Sequence, residues 1–532
     1  MSTESPQLEQ NPPRWWASRA WLLLPILAVG AFWRTRWLSE ISYWFDESFS
    51  LRMAQFPVLE ILNRSAQDTL PPGFYLILKV WGLVFGTSPV ASRALSITCG
   101  LSTIVGTYLF VREAYRPEAT DAAPAGDLRR SDWTALTAAA LVAFSPLQIE
   151  WSLMVRMYAP LATFAVFSAW FLLRALRRPG PRQLDWALFT IVGILLVYMH
   201  HFGLFTLLAE LIFGCIYVLR KNPAVASPSR TRSLRPLLVS AGAIAAVWTL
   251  WLGSFLEQEQ RVVANFWSRP IDWDGIGSIF FQLFGVHEWE AAPVFEGLMI
   301  AQAAAVVVLL VLVRGRPGDL IVAIAASLPF IAALGFSLVG RNIFFTRYLL
   351  AGHLFLLIAA AVLLCRIPLW PFRLAMVAAA LAGMSQLSLK HSERRDRLAH
   401  LPGMQGAMAR FEEARKSGEP LVVCDPMLFT SVVAYSLHRD DCFVATAEYP
   451  FFHGTAVLRT EEYFPKLKLN DGSCDVVWTL DANQWHGSNW AVSMPKGWKP
   501  VGDWRFPEYY CGELVLRMWE RPNNENNGST GG

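Results

Sequence analysis

Residues 43–75 read YWFDESFSLRMAQFPVLEILNRSAQDTLPPGFY, and their reading decides the fold. The stretch follows the first long apolar run and is too polar to span a bilayer. It opens near the adjacent acids Asp46 and Glu47 and closes near Asp68 and the pair Pro71–Pro72. A polar loop of this kind between apolar runs belongs at a membrane face, and the remaining chain reads as the frame that holds it there.

Working outward, the composition agrees. The 532 residues are 54% hydrophobic and 17% charged, with a mean hydropathy of +0.33. Soluble domains carry about 25% charged residues. The 23 Trp and 34 Phe suit interfacial belts. A net charge of +4 with no basic, aromatic stripe gives no footing for nucleic acid as a partner. Residues 1–15 read as a cytosolic tail, because the apolar run after them lacks a small-residue cleavage site.

Apolar runs of spanning length fall near 16–33, 93–111, 133–148, 157–174, 186–201, 203–219, 236–255, 295–313, 320–338, 348–365 and 374–390. About eleven spans are therefore expected within residues 16–390. Basic short loops mark the cytoplasmic side. These are 112–130, RALRRPGPR (174–182), RKNPAVASPSRTRSLR (220–235), RGRPGD (314–319) and RIPLWPFR (366–373). Counting FYLILKVWGLVF (74–85) as a span would put two of them outside. That segment is short and carries Lys79, so it is expected to lie in the outer interface. Loops 38–92, 149–156, 256–294 and 339–347 and the tail from 391 then face outward.

The tail changes character. Residues 391–418 read as a linker and an amphipathic helix, LVVCD (421–425) as a buried strand, and Asp425–Pro426 as a helix start. CFVAT, DVVWTL and ELVLRMW are further strand candidates. A small α/β domain over 391–520 and a disordered end at 521–532 are expected. Its Cys424, Cys442, Cys474 and Cys511 permit two disulfides in an oxidising compartment.

Charge alone set this topology, yet it gathers the unusual polar residues at one face. Asp46, Glu47 and Asp68 lie in the first outer loop, Arg156 and Tyr158 at the fourth span, His200 and His201 at the fifth, and Arg341, Arg347 and Tyr348 around the tenth. Carboxylates and imidazoles can take a proton from a hydroxyl. Arginines grip phosphate through bidentate hydrogen bonds. The set suits a reaction with an anionic leaving group delivered from the outer leaflet. Each residue also has a plain structural reading. Asp46 can cap a helix, Glu47 can be a solvated first-turn acid, and Asp68 can turn the chain before the prolines. The arginines can anchor headgroups, the histidines can bond neighbouring helices, and HEWE (287–290) can be an exposed loop face or a metal site.

WFDESFS, DTLPPGFYLILKVWGLVFGTSPVASRALS, SPLQIEWSLMVRMYAPL, YMHHF and FFTRYLLAG, in this order, resemble the GT-C glycosyltransferases of the protein O-mannosyltransferase and aminoarabinose transferase type. Gly86, Ser88 and Arg93 match that family's Gly-x-Ser turn and following Arg. Gly352–His353 stands where the family often has a proline.

The resemblance implies a GT-C fold and sugar transfer from a polyprenyl-phosphate donor. It gives Asp46 as general base or acceptor-orienting acid and Arg347 as a neighbour of the donor phosphate. Asp68 and Tyr158 occupy motif positions. The expected reaction is an inverting single displacement. Arg347 neutralises phosphate with Arg156 or Arg34, and Glu47 orients Asp46 or binds a metal. A divalent ion is left open, with Glu47, His200 and His201 as its candidate ligands. The loop 256–294 is a candidate lid. The acceptor is open among a protein hydroxyl, lipid A and another glycan. The expected location is a bacterial inner membrane. A flippase for lipid-linked sugars and a structural membrane scaffold stand as alternatives.

Overall fold

The computed structural model describes residues 19–116, 125–178, 182–220, 229–265, 270–284, parts of 303–312, 316–445, 454–464, 474–485 and 488–521. After α1 (Leu23–Arg34) the first polar loop, the outer loop of the sequence reading, folds into three short helices, α2 (Phe45–Gln55), α3 (Val58–Gln67) and α4 (Gly73–Phe85). Gly86, at φ +84°, ends α4 in a conformation that favours glycine. Ser88 then caps α5 (Pro89–Ala114) by accepting from the Ala91 amide. Next come α6 (Ala125–Phe144), α7 (Pro146–Ser152), α8 (Tyr158–Arg177), α9 (Gln183–Met199), α10 (Gly203–Arg220), α11 (Ser229–Asn265) and α12 (Trp273–Phe284). They are followed by α13 (Pro317–Val339), α14 (Leu350–Arg366) and α15 (Trp370–Ala399).

Among the described residues six helices are long and apolar enough to cross a membrane, and the chain is a multi-pass membrane protein. α9 and α14, with 17 residues each, are apolar but shorter. The 13 residues of α4 rise about 20 Å, less than a bilayer core of about 30 Å. Small residues let the helices approach closely. A Cβ on Gly106 of α5 would lie 2.6 Å from Val166 of α8.

The structure departs from the sequence reading in several places. The run 133–148 breaks between α6 and α7, because Ser145 caps a new helix that Pro146 begins. Residues 256–265 extend α11 rather than forming a loop, and α12 takes up residues 273–284 of the same expected loop. HEWE lies outside the described residues, as does most of the run 295–313. Residues 391–399 are no linker but the end of α15. Their polar composition is overridden by burial of His391, Ser392, Arg394 and Arg395. All seven cysteines are thiols with no disulfide among them.

The C-terminal part carries α16 (Gly403–Ala414), β1 (Leu421–Val423), α17 (Pro426–Tyr435), β2 (Cys442–Val444), β3 (Val476–Trp485), β4 (Ser488–Trp490), β5 (Lys499–Glu508) and β6 (Gly512–Glu520). The sheet order is β2-β1-β3-β6-β5, with β4 paired to β3. β2, β1 and β3 run parallel, whereas β3, β6 and β5 pair antiparallel. Asp425 caps α17 by accepting from the Met427 and Leu428 amides. This part seats on the outer loop. Tyr435 Oη accepts from the Tyr43 amide at 2.7 Å, Arg64 donates to the Ala456 and Leu458 carbonyls, and Arg52 pairs with Glu462. Arg394 of α15 donates to Tyr509 at 2.7 Å and lies 3.7 Å from Glu150 of α7.

Candidate functional site

The acid pair divides its work because of helix geometry. Trp44 is the extended N-cap of α2, so Asp46 and Glu47 fall in the first turn, where the helix dipole favours anions. Successive helical residues point about 100° apart. Glu47 therefore turns into the protein while Asp46 faces outward. Glu47 is 3% exposed. Its carboxylate accepts from Arg93 at 2.9 and 3.0 Å, from the Val155 amide at 3.0 Å and from the Trp44 amide at 3.1 Å. Arg93 also donates to the Leu38 and Ile41 carbonyls. The pair pins α2 to the start of α5 and to the segment before α8.

Asp46 opens onto a cavity of about 680 Å³ between the outer loop, the membrane helices and the C-terminal part. Asp68, Arg156, Tyr158, His200, His201, Arg347 and Tyr348 line it too. These sequence-predicted residues are thus brought together, and Glu47 is not among the lining. Glu47, His200 and His201 form no shared ligand set. Among the described residues no group of three His, Cys, Asp or Glu side chains could hold a metal, so no step is drawn through one. Arg34 is likewise removed from the phosphate reading. It is fully buried and spends its guanidinium on the Gly30, Val142 and Ala143 carbonyls and Ser152 Oγ.

Arg156 stands 3.6 Å from the Asp46 carboxylate and donates to the Asp46 carbonyl and Ser50 Oγ at 3.2 Å. Its charge is largely committed to Asp46. Asp68 ends α3 with its amide bonded to Arg64 and Ser65 carbonyls. Burial, with the Asp46 charge adding a smaller push, raises its carboxyl from 3.8 to about 6.

The opposite wall is aromatic. His200 leaves α9 in extended backbone, and its Nδ1 accepts from the Phe202 amide at 3.2 Å. α10 can begin at Gly203 because a Cβ there would lie 2.3 Å from the Leu196 carbonyl oxygen. The His200 ring lies 4.7 Å from Tyr348, which also faces Tyr158 and Phe202. Arg347 lies over the Phe345 and Tyr348 rings at 5.4 and 5.3 Å. Sequence reasoning missed Gln258 and Glu259 of α11 as lining residues, because it placed them in a loop read as a lid, and Phe255, because it stood at the end of an expected span. It also missed Met427, Thr430 and Gly454 from the C-terminal part, for which no local signal exists.

The cavity lining is chemically mixed. The carboxylates and guanidiniums of Asp46, Asp68, Arg156, Glu259, Arg341 and Arg347 share it with the apolar side chains of Leu204, Phe205, Phe255, Val262 and Phe336. Phe336 is 61% exposed.

No protein-family model matches the sequence, and no curated protein is similar to it. Solved structures are similar in fold. The apo crystal structure of ArnT from Cupriavidus metallidurans aligns with a TM-score of 0.60 at 13% identity, over 94% of this chain and 98% of that one. The same protein bound to undecaprenyl phosphate aligns at 0.58 and 14% identity, over 94% and 98%. The archaeal oligosaccharyltransferase AglB from Archaeoglobus fulgidus, in complex with an inhibitory peptide and a dolichol-phosphate, aligns at 0.50 and 12% identity, over 86% of this chain and 69% of that one. At such identities the likeness is one of fold: this chain shares the fold of ArnT and, more loosely, of the archaeal oligosaccharyltransferase.

Proposed function

We propose that this chain is a membrane glycosyltransferase. It moves a sugar from a polyprenyl-phosphate donor to an acceptor hydroxyl at the outer face of a bacterial inner membrane. The observation that carries the reading is one cavity that joins Asp46, Asp68, Arg156 and Arg347 to the apolar side chains of Leu204, Phe205, Phe255, Val262 and Phe336. A small sugar with a charged phosphate and a prenyl chain needs both kinds of surroundings.

In the proposed single displacement the acceptor oxygen attacks the anomeric carbon. The carbon–oxygen bond to phosphate breaks, and its electron pair leaves with the phosphate. Arg347 offsets the charge that grows there. Asp46 takes the acceptor proton, on the face opposite the leaving group. Arg156 holds the Asp46 carboxylate in place. Glu47 and Arg93 act behind it, fixing the turn of α2 that presents Asp46. The acceptor approaches past Trp44, Phe45 and Met427, where the C-terminal part closes the cavity.

The test is transfer of radiolabelled sugar from a panel of polyprenyl-phosphate donors to a membrane extract, with purified protein in nanodiscs. Label should leave the lipid with the wild type and stay on it with Asp46→Asn. Label that crosses the bilayer while still on its lipid would overturn the transferase reading in favour of a flippase.

A further inference from the structure

We propose that the Glu259–Arg341 ion pair is a latch across the side opening of the cavity, and that the donor phosphate displaces Glu259 from Arg341 as it arrives. The inference rests on the donor reading above and adds the route and two residues to it.

The opening is located by Phe336 and Gly340, which line the cavity and are exposed. α11 contributes Phe255 and Val262 to the same cavity. The charged groups at this mouth are Glu259 and Arg341. Arg341 Nη2 lies 2.6 Å from Glu259 Oε1 and joins α11 to the segment 340–349. The two side chains are 36% and 23% exposed, so the bond contributes little to stability and is easily exchanged.

Its two ends are held differently. The α11 end is fixed to the outer loop, because Gln258 donates to the Ser65 carbonyl at 2.7 Å and Arg261 to the Gln67 carbonyl at 3.3 Å. The Arg341 end belongs to the same segment as Arg347. A phosphate that replaces the Glu259 carboxylate therefore pairs with the segment that also carries Arg347 and releases that segment from α11. Guanidinium pairs with phosphate as readily as with carboxylate, so the exchange keeps Arg341 neutralised throughout.

The experiment titrates undecaprenyl phosphate into the full-length protein in nanodiscs and follows binding and thermal unfolding. Glu259→Gln should tighten binding several-fold by removing the competing carboxylate. Arg341→Ala should weaken it, and Arg341→Lys should restore part of it. In the Arg341→Ala background Glu259→Gln should change nothing, because the two residues act through one contact. Wild-type binding that none of these substitutions alters would overturn the latch while leaving the donor reading intact. A lower unfolding temperature for Glu259→Gln without tighter binding would assign the pair a purely structural role and overturn it too. A wild type that does not bind undecaprenyl phosphate would overturn the donor reading, and the latch with it.

Discussion

Asp46 and Asp68 share a cavity but not an environment. Asp46 is ion-paired and partly exposed, whereas Asp68 is buried and its carboxyl takes up a proton near pH 6. Asp46→Asn should lower the transfer rate by about 10²-fold or more while the protein still folds and inserts into the membrane. Arg347→Ala should raise the apparent KM for the lipid donor, measured at saturating acceptor. For Asp68 the folded value exceeds the ordinary 3.8, so its stability contribution is present below that value and is lost as pH rises through about 6. Asp68→Asn removes that loss. The variant's unfolding temperature relative to wild type should therefore rise between pH 4 and pH 7.5. If transfer needs Asp68 ionised, wild-type activity falls below about pH 6, and Asp68→Asn should have low activity across the whole range with no such limb. The candidate residues were legible because charged groups at the ends of apolar runs are costly and conspicuous. The fate of Glu47 was not legible, since it depends on Arg93, brought against it by the packing of α5 on the outer loop.

At the scale of elements, apolar runs marked helices well, and errors arose where a local break or a distant partner intervened. Ser145–Pro146 splits a run that hydropathy alone joins. The polar end of α15 stays helical because the C-terminal part and α7 supply partners for its arginines. β5, with Pro and Gly within it, lacks a strong strand pattern and exists because β6 pairs along it. The Arg93–Glu47 pair is the test of how α2 is held. Arg93→Met leaves Glu47 buried without its guanidinium and should cost roughly 3–5 kcal/mol in denaturant unfolding. Adding Glu47→Gln removes the stranded charge and should recover a large part of that loss.

For the whole molecule, the cavity is a joint product of three regions distant in sequence. The outer loop supplies acids, the segments between membrane helices supply arginines, the helices supply apolar side chains, and Met427, Thr430 and Gly454 close the remaining side. Met427 neighbours Gly454, which faces Phe49 of α2. Enlarging it with Met427→Trp should raise KM for the acceptor while leaving KM for the lipid donor unchanged. Equal changes in both constants would place Met427 outside the acceptor path.

The amino-acid sequence by itself determined the membrane class, the position of most helices, the polar loop after the first span and nearly every charged residue of the cavity. These follow from the cost of placing backbone and charge in hydrocarbon, a local property of composition. Only the tertiary structure decided that Glu47 is a strut and Asp46 the exposed acid, that Arg34 serves backbone carbonyls, and that α11 reaches the cavity mouth to meet Arg341. Those outcomes depend on which groups the packing brings within hydrogen-bond distance, and neighbours along the chain carry no record of that.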